Sequence, residues 1–511
     1  MAPMNPDKTS LPMELHLLVM EHLKESHYSD STQRHQFAPY TCVSRSWQAF
    51  FERLTFKNLI LRIGDVSAFR EHTQTPERRG HVNHIWLRLE EKRFDLDEPV
   101  TPTEHNVGYF GTSLLHLWNT LAAWEARPSG QGLTLELSIH MLAGLLKYDR
   151  HAPEDDLGNY STYLDTGSLR QYEIATKFAQ RSPRWVEDIV SEPSNLAGAN
   201  RSLYTSDVSM RNVVMPSVEV VTKFLTRRAN TRNLRSKTLG KILGSLPRLE
   251  EVHIERWRLS RVGDERRWLT GLCDVFREGL SPSIKKFNIF HETSDWPQDP
   301  TATTAFMMAF EVEPSDSLVR GAVHLETLSL CHIVQAENFF RSVLEGRPVF
   351  DVPVRLGVER GPLVIFKNLT HLTLTCDLLA ADLNSTLNWG PEWKQGVNRL
   401  LLSAAKAVAG QMPKLRRLEI WDIQDGEVCV FCYEVHEDYA ELVWKSAVEA
   451  RIFEDGVVKA WETAAEAHGK AELRIRTGQV VCNDFEYYGF VLPHLESKHM
   501  IIHPVSAAQM G

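Results

Sequence analysis

One pattern of apolar residues recurs along the chain and limits what it can fold into. An apolar residue is followed by two others, a second apolar residue, one other and a third apolar residue. The five strong copies are "LEEVHI" (from 249), "IKKFNI" (from 284), "LETLSL" (from 325), "LTHLTL" (from 369) and "LRRLEI" (from 415), and weaker copies begin at Val82 and Val221. Because the last two apolar positions alternate, each copy predicts a short strand with one buried face.

The stretches between these copies have the apolar spacing of helices. They are "LRSKTLGKILGSLP", "RRWLTGLCDVFREGL", "AENFFRSVLEG" and "VNRLLLSAAKAVAGQMP". A strand followed by a helix, repeated every 35 to 46 residues, predicts parallel strands stacked along an α/β solenoid. The alternative is a set of separate α/β layers whose buried strands share a pattern, and 511 residues suffice for either.

The repeat resembles the leucine-rich repeat, L-x-x-L-x-L-x-x-N/C-x-L. Its first half matches, whereas the Asn/Cys position holds Ile333, Asp377 and Ile423, and the period is longer than usual. The fold class that this implies is α/β, with an irregular leucine-rich-repeat-like solenoid over 62–424. Polar, turn-rich stretches predict long loops at 147–168 and 191–209.

Past about residue 425 the repeat gives way to a different pattern. "EVCVFCYEV" and "AELRIRT" read as strands and "VVKAWETAAEAH" as a helix between them. Because terminal repeats need an atypical outer face, we predict that 425–511 is an α+β cap of the solenoid.

The N-terminal region reads as a small helical hairpin. Residues 1–9 are polar and predicted to be disordered, and "SLPMELHLLVMEHL" (10–23) then carries apolar residues at helical spacing. In "FAPYTCVSRSWQAFF" (37–51) apolar residues recur at three-to-four spacing, which predicts a second helix. About 45 residues cannot enclose this much apolar surface, so the hairpin is expected to pack against something else.

These helices resemble the F-box, which carries L-P-x-E-[I/L], an Ile/Leu pair and a Leu, and later V-[C/S]-[K/R]-x-W. The matching positions here are Leu11, Pro12, Glu14, Leu15, Val19, Met20, Leu23, Val43, Ser44, Arg45 and Trp47. The module would span 10–61. A long polar insert between 24 and 36 departs from the family pattern.

The resemblance implies that this module docks on the Skp-type adaptor of an SCF-type cullin–RING ubiquitin ligase. The repeats would then recruit a protein substrate, and the chain as a whole resembles large F-box proteins of filamentous fungi. The expected adaptor-binding residues are Leu11, Pro12, Leu15, Val19, Leu23, Val43 and Trp47. The alternative is a repeat scaffold outside any ligase, whose F-box-like helices only cap the solenoid.

The sequence predicts no enzyme. G-x-S-x-G, Walker A, G-x-G-x-x-G and H-E-x-x-H are all missing. Cys429 and Cys432 have C-x-x-C spacing, but a zinc site needs two more ligands, and a thioredoxin-like pair should open a helix rather than lie in a predicted strand. We therefore expect no metal and no cofactor, and an unrecognised site beyond residue 425 is the remaining enzymatic alternative.

Charge adds one feature. The chain has a net charge of -9, which argues against a dedicated nucleic-acid binder. Between Lys223 and Arg267, however, 13 Lys/Arg face only five acidic residues. One interpretation is a set of solvated helix faces, and the other is a surface for an acidic or phosphorylated substrate, because the planar fork of Arg suits such groups. The residues of that surface would be Arg227, Arg228, Arg232, Arg256 and Arg258.

The sequence predicts a cytoplasmic or nuclear protein. Glu14, His16 and Glu21 interrupt the only candidate for a secretory signal, and no uncharged apolar run is long enough to span a bilayer, so no membrane association is expected. The seven cysteines are sparse and odd in number, which favours reduced thiols.

Overall fold

In the described part of the chain, twelve strands lie side by side in one sheet, in the order in which they occur in the sequence. The computed structural model describes residues 12–29, 37–91, 104–128, 130–141, 160, 163–164, 214–228, 233–257, 262–292, 314–345, 364–380, 391–424, 427–446, 453–480 and 491–510. The strands are β1 (Asn58–Arg62), β2 (His84–Glu91), β3 (Leu133–Met141), β4 (Val221–Thr226), β5 (Glu251–Trp257), β6 (Lys286–Glu292), β7 (Thr327–Gln335), β8 (His371–Thr375), β9 (Arg417–Gln424), β10 (Glu427–Val435), β11 (Ala440–Ser446) and β12 (Leu473–Gln479). This architecture confirms the predicted α/β class.

Strands β1 to β9 all run parallel, each to the next. Strand β10 is antiparallel to both β9 and β11, and β12 is parallel to β11. The helices are α1 (Met13–Ser29), α2 (Arg45–Lys57), α3 (Val66–His72), α4 (Pro76–His81), α5 (Glu104–Ala122), α6 (Ser236–Gly244), α7 (Val262–Glu278), α8 (Pro314–Gly321), α9 (Ala336–Glu345), α10 (Pro391–Gln411), α11 (Asp455–Ala467), α12 (Lys498–Ile501) and α13 (Pro504–Met510). None of these helices has both the length and the apolar composition needed to cross a bilayer.

The two faces of the sheet differ in chemistry. One row in register consists of apolar residues that are all fully buried on the helical side: Val252, Phe287, Leu328, Leu372 and Leu418. The ring of Phe276 in α7 meets the ring of Phe287 edge-on at 4.8 Å, so the helices form the main core with this face. The neighbouring row points to the other side and is polar: His253, Asn288, Ser329, Thr373 and Glu419. We call this second side the polar face.

All seven strands and all four inter-strand helices predicted from the apolar pattern are present. Strand β3 escaped the pattern because Gly132 occupies its first apolar position. A Cβ at Gly132 would lie 2.0 Å from the Thr222 hydroxyl, so close packing requires glycine there. Strand β1 has the pattern from Phe56, but the sequence reading assigned this stretch to the N-terminal module. The sheet therefore begins within the predicted range 10–61.

The N-terminal helices enclose a small core of their own around Met20, Phe37, Phe50 and Phe51. The predicted single second helix is instead a 3-10 turn (Ala38–Cys42) followed by α2. The break falls at Ser44, whose backbone is extended and whose hydroxyl caps α2 by accepting a hydrogen bond from the Trp47 amide.

The polar insert predicted over 24–36 is helical in its first part, since α1 continues to Ser29, and 30–36 lie outside the described residues. The Tyr40 hydroxyl lies 2.9 Å from His27 Nε2 and so joins the 3-10 turn to α1. Arg78 Nη2 of α4 lies 2.6 Å from Glu52 Oε1 of α2, and this ion pair joins the module to the helix that precedes β2.

The C-terminal region divides into two parts. Residues 427–480 lengthen the sheet by β10 to β12 and add α11. Strands β10 and β12 and helix α11 confirm the two strands and the helix predicted for this region, whereas β11 was not predicted. Residues 491–510, which we call the strap, then return across the polar face from β11 to β1. The predicted cap of 425–511 is thus partly an extension of the sheet and partly a cover over it. The predicted start over 1–9 and the loop over 191–209 lie outside the described residues, as does most of 147–168.

Candidate functional site: an apolar face on the first helix

Helix α1 leaves a set of large apolar side chains in water. Leu18 is 65% exposed, Leu15 44% and Val19 43%, and Val43 in the turn before α2 is 59% exposed. Met13 and Leu17 are exposed as well. Each large apolar side chain that stays in water forgoes about 1.5–3 kcal/mol of burial free energy. Exposed apolar side chains that group on one segment mark an interaction site more often than single exposed residues do.

Apolar side chains remain exposed on α1 because the helix is apolar on more than one side. Met20 and Leu23 face the small core of the module, where Met20 is buried and Leu23 packs against the aromatic rings. One side of the helix is therefore satisfied within the chain. The other side carries Leu15, Leu18 and Val19 and meets no described part of the chain that covers it.

The predicted adaptor-binding residues divide between these two sides. Pro12, Leu15, Val19 and Val43 are exposed, whereas Leu23 and Trp47 are half-buried and support the module's core. Leu11 lies outside the described residues. The sequence analysis did not select Met13, Leu17 or Leu18, which are also exposed. The available signal was the near-continuous apolar run in α1, which is too wide for one buried stripe.

A second cluster of functional groups lies on the polar face around Glu136 of β3. His84 Nε2 lies 3.0 Å from one carboxylate oxygen of Glu136, and Arg227 Nε donates to the other at 2.6 Å. The Tyr160 hydroxyl donates to the same carboxylate. Burial opposes ionisation of Glu136, but the Arg227 charge and the hydrogen bonds from His84 and Tyr160 outweigh it and lower the pKa to about 2.

A second buried carboxylate system joins β5 to the strap. His253 Nε2 lies 3.0 Å from Glu255 Oε1, and the backbone N–H of His503 in the strap donates to the same oxygen. Burial opposes ionisation of Glu255, yet these contacts leave its pKa lowered. Burial and the nearby Arg227 charge both disfavour a protonated His503 and lower its pKa to about 3. His503 is therefore neutral at physiological pH.

Two of the five arginines predicted to bind substrate are buried in ion pairs. Arg227 is buried on Glu136 and lies 3.6 Å from the Tyr160 ring centroid. Arg256 is buried against Glu265, with Nη2 to Oε2 at 3.0 Å.

Arg228 is half-buried over the Trp257 ring, and Arg232 and Arg258 lie outside the described residues. The prediction of an open basic surface is wrong for Arg227 and Arg256, because each finds an internal carboxylate that local charge counting cannot identify.

The cysteine pair is part of the sheet. Cys429 and Cys432 lie in β10 and are both buried, and burial raises the pKa of both thiols well above the usual value. Within the residues that the structure describes, no three His, Cys, Asp or Glu side chains come together as a metal site would require. Cys42, Cys331, Cys376, Cys429 and Cys432 are free thiols.

Comparison with known proteins gives one match. Residues 279–503 match a family described as "Family of unknown function (DUF6546)", which covers less than half of the chain. No curated protein and no solved structure matches the chain. The match spans all of β6 to β12 and the strap as far as residue 503, and the N-terminal helices lie outside it. The comparisons therefore assign no activity to the chain.

Proposed function

We propose that this chain is a non-enzymatic substrate-recognition subunit of an SCF-type ubiquitin ligase, acting in the cytoplasm or nucleus. The N-terminal helices dock on a Skp-type adaptor and through it on a cullin–RING ligase. The long sheet recruits a protein substrate. The observation that carries the proposal is the exposed apolar side of α1, because residues selected by the F-box resemblance are among those left in water.

The division of α1 into two sides supports this assignment. An adaptor-binding helix must hold its own module together with one side and offer the other to a partner. Met20 and Leu23 do the first, and Leu15, Val19 and Val43 are placed for the second. Stable protein interfaces have apolar centres of this type, with polar residues around them.

The sheet supports the proposed leucine-rich-repeat-like solenoid. Nine parallel strands follow one another in chain order, and helices between β4 and β9 pack on one side of them. Each strand contacts its neighbours in sequence, as stacked repeats require. An extended array of this type offers a long surface for a protein partner.

The competing function is a scaffold outside any ligase, in which the F-box-like helices cap the sheet. Helix α2 fits that role, since Phe56 at its end packs on the main core and Glu52 pairs with Arg78. Helix α1 does not, because a cap buries its apolar side against the sheet and α1 leaves Leu15, Leu18 and Val19 exposed. The ligase function is therefore favoured.

The test is binding of the full chain to a purified Skp-type adaptor. We expect a stable complex for the wild type and at least about a hundredfold loss for Leu15→Asp/Val19→Asp, since charged groups at the centre of an apolar interface cost several kcal/mol. Ile475→Asp is the matched control, because Ile475 is 43% exposed, like Val19, but lies on β12 at the far end of the sheet.

Two results would overturn the proposal. One is a wild-type chain that binds no Skp-type adaptor, which would favour the scaffold. The other is equal loss of binding in Ile475→Asp, which would show that the effect is not specific to α1. Circular dichroism of each variant establishes that the fold is retained.

A further inference from the structure

The strap is held on the polar face by polar contacts at several points. Lys445 of β11 donates to the His494 carbonyl at 3.0 Å. The backbone N–H groups of Glu496 and Ser497 donate to the two carboxylate oxygens of Glu419 in β9, both at 2.9 Å. The His503 N–H donates to Glu255 in β5. The strap thus crosses the strands in the reverse of their chain order and satisfies two carboxylates that project from the sheet.

Apolar contacts lie between these polar ones. Ile501 and Ile502 are fully buried with Phe290, Cys331 and Trp421 of the sheet. Near the other edge, Val505 packs on Trp86 of β2 and on Tyr160. Side-chain pockets alternate with backbone hydrogen bonds, which is the way an extended protein surface recognises a peptide.

The surface beneath the strap differs from a permanent core. On the helical side, the row that contains Val252 and Leu328 is apolar throughout, whereas the polar face carries Glu255, Ser329 and Glu419. Interfaces that form and dissociate are more polar than obligate ones, because each side must also be stable in water. The polar face is therefore mixed, since the apolar patch that contains Phe290 and Trp421 lies among buried polar residues. A mixed composition of this kind is that of an interface that can dissociate.

Two buried polar atoms on this face are not satisfied. Asn288 Oδ1 and Thr373 Oγ1 have no hydrogen-bond partner within the described ranges, although Asn288 is 3% exposed and Thr373 is fully buried. An unpaired buried polar atom is destabilising. Both residues lie in the row that ends at Glu419, where Thr373 pairs with Glu419 on the next strand and Asn288 lies two strands further away. The Asn288 amide oxygen can only accept a hydrogen bond, and the Thr373 hydroxyl can accept or donate one. A ligand with additional N–H donors would satisfy this row better than the strap does.

We propose that the polar face is a peptide-binding site and that the strap is its intramolecular occupant. A protein segment that presents backbone or side-chain N–H donors to Asn288, Thr373 and Glu419 displaces the strap and takes its place. The inference rests on the proposed function only in identifying that segment as part of the ligase substrate. Substrate capture and strap release are then one event, and the free chain holds its own site closed.

The first test is hydrogen exchange in the wild-type full chain. A displaceable strap opens without unfolding of the sheet, so amides of 491–510 that are buried on the polar face should exchange at least about tenfold faster than those of β5 to β8. Exchange of both sets at the same rate, through global unfolding, would overturn the proposal, because the strap would then be an inseparable part of the core.

The second test uses a labelled synthetic peptide of residues 491–510 and the full chain with Ile501→Ser/Ile502→Ser. Weakening the intramolecular occupant should improve peptide binding at least about tenfold over the wild type, because the competing strap is lost. His499→Ser is the control, since His499 is exposed within the same segment, and it should bind like the wild type. Adding Glu419→Gln to the double variant should weaken the peptide again.

Equal peptide binding by the double variant and the wild type would overturn the proposal, and so would loss of the sheet's circular dichroism in the double variant. Adaptor binding by the same proteins separates this inference from the proposed function. If the adaptor binds all variants equally while the peptide binds none, the peptide site fails and the ligase function stands. If the adaptor does not bind and the peptide does, the ligase function fails and the peptide site stands.

Discussion

The first helix and the strap are both short apolar segments at opposite ends of the described chain, and they have opposite fates. Leu15, Leu18 and Val19 on α1 remain exposed, whereas Ile501 and Ile502 in the strap are fully buried. The difference lies in what each segment meets. The strap packs on an apolar patch of the sheet, whereas the described residues cover only one side of α1. An apolar segment is informative about function when no described part of its own chain covers it.

The buried charges at the end of the strap should show the largest effect. Glu136→Ala leaves Arg227 without its carboxylate in a buried position, and we expect a loss of about 3–5 kcal/mol in the free energy of unfolding. Urea denaturation at pH 7 measures this loss. A loss below about 1 kcal/mol would show that water reaches the pair and that the strap covers it poorly.

Matched truncations compare the two segments directly. Ile501→Ala should lower the free energy of unfolding by about 2–5 kcal/mol, because it removes a buried side chain. Leu18→Ala should change it by less than about 0.5 kcal/mol, because that side chain is already in water. Urea denaturation of both proteins provides the comparison, and similar losses would contradict the distinction between α1 and the strap.

Acid should weaken the strap through His503. The pKa of His503 falls from 6.5 to about 3 on folding. As the pH falls from about 6.5 toward 3, His503 is therefore protonated in the unfolded chain but not in the folded chain, and the free energy of unfolding decreases. The groups that face it are Arg227, Glu136, Glu255 and His253. Denaturation midpoints over this range should decline less steeply in His503→Asn. An unchanged slope would contradict this environment for His503.

The smallest expected effect concerns the support of the exposed face. Ser44→Ala removes the hydroxyl that accepts from the Trp47 amide at 3.3 Å, and loss of an N-cap typically costs about 1 kcal/mol. We expect that loss in thermal or urea unfolding, with adaptor binding reduced less than in Leu15→Asp/Val19→Asp. A complete loss of adaptor binding would mean that the turn at Val43 depends wholly on this cap.

The fold was more predictable than the sites. The spacing of apolar residues identified strands such as β5 and β7 because their burial depends on a local pattern that repeats. Strand β3 was missed because Gly132 occupies the position where the pattern has an apolar residue. Glycine is needed there because Thr222, from a distant part of the chain, leaves no room for a side chain.

The sites depend on such distant partners throughout. Arg227 pairs with Glu136, 91 residues earlier, so no local charge count could show that it is buried. The strap was read as part of a cap because Ile501 and Ile502 form only a short apolar run, and their patch on the sheet comes from strands far away in sequence. On α1, the sequence indicated a face for the adaptor but could not show that Leu15 is exposed and Leu23 packs inside the module. The packing of Phe37 and Phe51 decides which side of the helix is covered.

Docking through α1 is tested most directly by hydrogen exchange of the full chain with and without a saturating Skp-type adaptor. We expect the adaptor to slow exchange in α1 and around Val43, where the exposed apolar residues lie, and to leave exchange in the strap unchanged. Protection that appears on the sheet or the strap while α1 exchanges as before would contradict docking through the exposed side of α1.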